Sequence, residues 1–302
     1  MNNIYSDNKR MKRLYKSPKE GMYNHRFFED LCSGYSFTLG EKSNNLHRNF
    51  LTFEPKECLI ANLLNKEYHY DLSYDLEKTV CQVIYSLLAF GKAFIYLLPE
   101  YSESQDEGGK IKKELSSLRI GEIKGFIKKH NKEHVIFCRK GFDNELSDVE
   151  MPTNQLIEFS LKELGYRKKY FVNILKKLNK CDALEVSTLM LANNTEGYDF
   201  SFHTKKRKMQ ELKAIKSVGW SFGTDYLSDS YILYKKIKED KLKIQFLRYI
   251  VGKLNCGFDI FFGKSEGLLV AHIKEKDYEQ IWNDYLEGKT TGSELSNILY
   301  NV

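Results

Sequence analysis

Apolar positions take up helical spacing from Asp75 onward: Leu76, Val80, Val83, Ile84, Leu87 and Leu88 share one face, with Asp75 and Glu77 in the first turn. The pattern predicts a helix, followed by Gly91 where a left-handed C-cap would sit. Ala93 to Leu98 then reads as a buried strand stopped by Pro99, and the polar stretch Glu100–Lys110 with Gly108 and Gly109 as a loop or hairpin tip. Further strands are predicted at 119–128 and 134–139, separated by His130, Asn131 and Lys132. Together these give a helix leading into a small antiparallel sheet.

Pro152 reopens ordered structure. QLIEFSL at 155–161 fits either a strand or a helix. After Gly165, the residues Tyr166, Tyr170, Phe171, Ile174, Leu175 and Leu178 form an amphipathic helix, and another is predicted at 183–192. A strand at 198–203 precedes a helix over 205–217, which Gly219, Trp220, Ser221, Phe222 and Gly223 break. Ser228 reads as the N-cap of the longest helix, running to about Leu254. At 1.5 Å per residue that helix is roughly 40 Å long. A hairpin of strands at 258–262 and 268–272 follows, then helices at 275–287 and 293–300. No repeat of fixed period is present. The expected fold class is α+β, a small antiparallel sheet packed with several helices, one of them long and near 228–254. The chain divides into a basic arm at 1–26, mobile or ordered only by a partner, a helix-plus-sheet region at 27–150, and a mainly helical region at 151–302.

Composition supports a folded chain: 42% of the 302 residues are hydrophobic and 29% charged, which is wrong for a disordered one. Only 4 prolines are present, so long helices can run uninterrupted. The net charge of +6 is mild, and its distribution says more. The basic runs are KRMKRLYK at 9–16, RKK at 167–169 and KKRK at 205–208, each of a kind that also serves as a plain solvated face. Residues 1–26 hold seven Lys and Arg against two acids. Cysteines at 32, 58, 81, 138, 181 and 256 form no CxxC pair, which leaves no zinc ribbon or thioredoxin-type motif. MNNIYSDNKRMKRLYK is too polar for a signal peptide, so free thiols in a reducing cytoplasm are expected. No membrane span is expected either, because the longest apolar stretch, Val83 to Leu98, is interrupted at Gly91 and Lys92.

Catalytic chemistry has little to stand on. His130, His134 and Cys138 recur at spacings of four and could hold zinc on a strand, but a structural site wants a fourth ligand and surface histidines beside a hairpin suit the residues better. Glu122, Ile123 and Lys124 place an acid and a lysine as a metal-dependent nuclease would, with Asp106 or Glu107 as the upstream acid. These acids fall in the predicted tip, so Glu122 and Lys124 are weak catalytic candidates. There is no GxSxG elbow, no GxxxxGK[ST] loop and no GxGxxG between a strand and a helix. No cofactor is expected. Basic residues interleave with aromatics in Arg167–Phe171 and Arg13–Lys16, a mixture suited to backbone contact with stacking, although Tyr170 and Phe171 belong to an apolar stripe. The candidate nucleic-acid contacts are Lys9, Arg10, Lys12 and Arg13 in the arm, and Lys205, Lys206, Arg207 and Lys208 on the later helix.

The segment SLLAFGKAFIYLLPE, an apolar helix ending in Gly and passing after one residue into a hydrophobic strand, resembles part of the tailed-bacteriophage portal family. The order that follows is similar too: a hairpin region, the apolar LIEFSL, Gly165 and a helix, then the long charged helix YILYKKIKEDKLKIQFLRYIVGKLN. The similar region covers about residues 75–260. The resemblance implies a self-associating, ring-shaped oligomer around double-stranded DNA, with no catalytic residues and a place in the virion or cytoplasm. It also accommodates a non-catalytic DNA- or protein-binding component of a phage–host conflict (antiphage defence) system, with phage or host proteins as partners. A nuclease centred on Glu122 and Lys124 is the third expectation.

Overall fold

The structure, a computed structural model, describes residues 22–32, 35–37, 51–55, 72–105, 111–122, 125–130, 133–140, 146–176, 200–220, 228–263, 269–274 and 276–300. These residues form an α+β fold, as expected. The elements in chain order are α1 (Met22–Cys32), β1 (Tyr35–Phe37), β2 (Leu51–Pro55), α2 (Leu72–Phe90), β3 (Lys92–Gln105), β4 (Ile111–Glu122), β5 (Gly125–His130), β6 (His134–Lys140), β7 (Leu146–Pro152) and β8 (Leu156–Ser160). Helical turns at 170–176 follow, then α3 (Phe200–Val218), α4 (Asp229–Phe262), β9 (Leu269–Ile273), α5 (Tyr278–Leu286) and α6 (Gly292–Tyr300).

The stripe of α2 is buried along its whole length, from Leu76 to Leu88. Gly91 ends the helix with φ of 76° while its N–H reaches the carbonyl of Leu87 at 2.9 Å. The described residues form three small sheets, with strand orders β1-β2-β9, β4-β3-β8 and β5-β6-β7. The second and third are antiparallel; in the first, β1 runs parallel to β2 and β2 antiparallel to β9. Because β8 joins β3 and β9 joins β2, the two regions read from the sequence share strands and one core. That core centres on Phe27, Phe28, Phe53, Phe159, Phe171, Phe246 and Phe258, all fully buried. Phe171 links α1 to α4, its ring 5.9 Å from Phe27 and 6.2 Å from Phe246.

Several expectations are corrected. Pro99 does not stop β3, which runs on to Gln105. Past Tyr96 the strand has lost β8 and pairs only with β4, so one edge is open and a residue lacking an N–H can sit there. The strand predicted at 119–128 divides into β4 and β5, which belong to different sheets. The strand at 198–203 is helical from Phe200, and Met22–Arg26, assigned to the arm, open α1.

The C-terminal hairpin is absent because 258–262 belongs to α4, whose 34 residues make it about 51 Å long. Leu254 and Phe258 are both buried one turn apart, so helical burial overrides the local alternation of Phe258, Ile260 and Phe262. Asn255 of α4 holds the start of β9 with its amide, accepting from the N–H of Leu269 at 2.7 Å and donating to its carbonyl at 2.8 Å. Near the other end of α4, Leu233 builds a separate small core with Leu295 and Leu299, on which α5 and α6 sit. Residues 183–192, a predicted helix, lie outside the described residues.

Candidate nucleic-acid interface

α3 has six cationic side chains and one acid, Glu211. Glu211 is buried with Ala214, Ile215 and Val218 on the face turned to α4, whereas Lys205, Lys206, Lys208, Lys213 and Lys216 are exposed. At 100° per residue, Lys205, Met209, Lys213 and Lys216 fall in one row, with Lys206 flanking it, opposite the buried face. The row rises about 16 Å, the length of about five phosphates along one strand of a duplex. Burial pushes the carboxyl of Glu211 above its usual range, and Arg207, one turn earlier, opposes that. The single acid of α3 therefore does nothing to neutralise the outward row.

The end of α3 is fixed on two sides. Gly219 takes φ of 70°, and a Cβ there would lie 2.5 Å from the backbone nitrogen of Glu239 in α4. Next to it, Trp220 is buried and donates its indole N–H to Asp30 of α1 at 2.6 Å. The predicted helix break with a packed aromatic is thus what the segment's first residues form.

α4 sorts its charges in the same way. Lys238, Lys241 and Arg248 lie along one side with Tyr234 and Gln245, while Glu239 and Asp240 turn inward. Lys243 meets Glu239 at 3.1 Å, Lys236 meets Asp240 at 2.7 Å, and the Tyr278 hydroxyl donates to the same Asp240. Lys235 is buried among these groups, and burial lowers its pKa against the opposing pull of Glu239 and Asp30.

The turn before 170–176 is tied to α4 by the Tyr166 hydroxyl, which donates to Gln245 at 2.9 Å, and by Lys253, which meets Glu163 at 2.7 Å. This holds the run Arg167, Lys168 and Lys169, all exposed, close to α4. Tyr170 and Phe171 turn inward, with Phe171 fully buried, as their place in the apolar stripe implied.

No family model matches the chain, and no curated protein does either.

The remaining candidates are not brought together. Lys9, Arg10, Lys12 and Arg13 lie outside the described residues, as do Lys124, Asp106 and Glu107. Glu122 is the last residue of β4, paired with Ile95. His134 opens β6 with Nδ1 3.6 Å from Glu150, and Cys138 pairs along the strands with Phe126 and Asp148. Among the described residues, no three His, Cys, Asp or Glu side chains gather as a metal would require, and no helix is long and apolar enough to cross a membrane.

The sequence reading missed Lys213 and Lys216. The signal was their spacing, since Lys213 and Lys216 continue at helical intervals from Lys205 and Lys206 outside the contiguous KKRK run.

Proposed function

We propose that the chain is a non-enzymatic protein that contacts the phosphate backbone of double-stranded nucleic acid through the α3 lysine row, as a subunit of a portal-like assembly. The observation that carries the nucleic-acid part is the charge sorting of α3: every exposed charge on the described part of the helix is a lysine, and its one acid is buried. A rigid row of point cations grips phosphates without reading bases. The duplex is taken from the portal resemblance, which implies an oligomer around double-stranded DNA, and a row of cations on a straight helix suits its regularly spaced phosphates. The assembly part rests on the resemblance of the sequence over about residues 75–260 to the portal family and on the length of α4.

The test is binding of the full chain to a labelled duplex of about 30 base pairs across a salt series. Four or five lysine–phosphate contacts give a loss of affinity of about 150- to 500-fold between about 50 and 200 mM salt. Absent binding at low salt, or an affinity that salt leaves unchanged, removes the reading. Steep, salt-dependent binding by a chain that stays monomeric replaces the portal-like role with that of a binding component in a phage–host conflict system.

A further inference from the structure

Two surfaces outside the α3 row are complementary to one another. The first is the outer face of α5 and α6. It exposes Glu279, Asn283 and Leu286 on α5, Glu287 just past its end, and Glu294 and Ile298 on α6. Leu286 is 64% exposed and Ile298 41%, which is high for large apolar side chains. The pair of helices is also acidic. Lys276 is spent inward on the carbonyl of Leu299, and Lys289 is held by Glu287 and Asp284.

The second surface is the outward side of α4. Lys238, Lys241 and Arg248 come first, and Gly252, Cys256 and Ile260 continue the same side toward the end of the helix. No acid interrupts it between Tyr234 and Cys256. A side chain at Gly252 would have nothing within 4 Å, so the helix backbone is open to close approach there. Ile260 is 61% exposed. A cationic half, followed by a small and apolar half with Asp259 at its far end beside Ile260, faces the acids and the Leu286–Ile298 pair of the first surface.

The two surfaces cannot meet within one chain. α5 and α6 sit on the side of α4 marked by Leu233, Ile237 and Asp240, to which Tyr278 donates. At 100° per residue, that side is centred about a quarter turn from the row of Lys238, Lys241 and Arg248, and the outer face of α5, opposite Tyr278, Ile281 and Tyr285, points away from α4. We propose that the outer face of α5 and α6 docks on the outward side of α4 of a second copy of this chain, acids on the lysines and Leu286 with Ile298 over the Gly252–Ile260 end. Unlike surfaces meeting in this way form a head-to-tail contact that repeats, closing into a ring or extending as a filament. Opposite charge supplies orientation and on-rate, and the apolar pair supplies the desolvated centre. The inference rests on the assembly reading and gives it an interface that leaves the α3 row open.

The test uses the full chain without nucleic acid, by light scattering and sedimentation. The unaltered chain is expected to form species larger than a dimer, weakened by salt. Leu286→Asp disables the α5–α6 face and leaves α4 intact; Lys238→Glu with Lys241→Glu does the reverse. Each variant alone is expected to be monomeric, with association at least about tenfold weaker. Mixed, the two variants should form a one-to-one dimer that grows no further, because each brings one working surface. An unaltered chain that is monomeric at every concentration and salt overturns both the interface and the assembly reading. Association that survives in the variants, or no dimer on mixing, overturns the interface and leaves the assembly reading standing. Leu286→Asp should bind duplex through α3 as a monomer, which keeps the nucleic-acid reading separately measurable.

Discussion

Trp220 donates its indole N–H to the carboxylate of Asp30 at 2.6 Å, joining the residue just past α3 to α1 across 190 positions of sequence. The indole also meets Phe27 edge-on, the centroids 5.6 Å apart. Trp220→Phe keeps most of the apolar contact and loses the donor. A hydrogen bond to a charged group contributes about 1.5–3 kcal/mol, and the exposure of Asp30 places this one at the lower end. We expect a loss of about 1–2 kcal/mol in urea unfolding. In a double-mutant cycle with Asp30→Asn, a coupling near zero would show the bond to be incidental.

Two glycines of similar sequence context should respond with opposite sign. Gly219 has φ of 70° and faces the α4 backbone, with Glu239 nitrogen 2.5 Å and Lys235 oxygen 2.7 Å from a would-be Cβ. Backbone cannot yield as a side-chain tip can, and the left-handed conformation alone costs about 1–3 kcal/mol for a non-glycine residue. Gly219→Ala is therefore expected to lower the melting temperature by several degrees. Gly252 lies inside α4 in open space, so Gly252→Ala should raise stability by about 0.5–1 kcal/mol. Equal responses from the two would contradict the placement of Gly219 against α4.

These positions mark where the sequence was legible. The α2 stripe and its closing Gly91 follow from spacing alone, because one face buries and the other does not. Ser228 does precede the longest helix. The errors arose where a short pattern fitted two periods. Phe258, Ile260 and Phe262 alternate like a strand, yet Leu254 and Phe258 also satisfy a helical turn, and the decision was made by Ile157 of β8, packed against Gly257. The pairing of β2 with β9 joins residues more than two hundred positions apart, and no local pattern carries such a partner. The basic stretch KKRK was visible as a run, but a run does not say which side of its helix is buried. The burial of Glu211, which leaves the outer row purely cationic, depends on where α4 lies.

Glu211 also gives a pH dependence. Its carboxyl is raised above the ordinary value in the fold, first by burial and with Arg207 opposing. The folded state thus keeps a proton over a range where the unfolded chain has released it. Its contribution to stability is complete below the unfolded value and is lost as pH rises through the folded one. Glu211→Gln removes that loss, so the variant should equal or exceed the parent in thermal stability at neutral pH and show a flatter profile from acid to neutral. A variant clearly less stable at neutral pH would mean that the attraction of Arg207 outweighs burial.

The cysteines should differ in reactivity. Burial pushes the Cys32 thiol up to about 12, with nearby Cys81 adding to the effect and Lys243 opposing it. Cys81 is raised as well, again first by burial. The two side chains donate reciprocally, Cys81 to the carbonyl of Cys32 at 3.1 Å and Cys32 to that of Cys81 at 3.4 Å. Cys256 is exposed on α4. Since the thiolate is the nucleophile, iodoacetamide at mildly alkaline pH should label Cys256 of the monomeric Leu286→Asp chain fully, while Cys32 and Cys81 stay unmodified until the chain is unfolded. Peptide mass mapping reads all three sites in one sample. Early labelling of Cys32 would mean that α1 opens from α2 in the native state.

The α3 row makes the sharpest numerical demand. If Lys205, Lys213 and Lys216 each meet a phosphate, replacing one by Ala removes one released counterion, and the slope of log affinity against log salt should fall by about 0.9 for each. The effect should be the same for duplexes of any sequence, since contacts to phosphate position the protein without reading bases. Lys112 supplies the control: it is exposed on β4 and pairs with Glu114 at 2.8 Å, on a different element from the row. Lys112→Ala should leave the slope unchanged. Stability should be untouched in all four variants, because exposed lysines pointing away from the core contribute little to folding. A slope that drops equally for Lys112 and for Lys213 would trace binding to net charge alone, and the row on α3 would lose its claim to the interface.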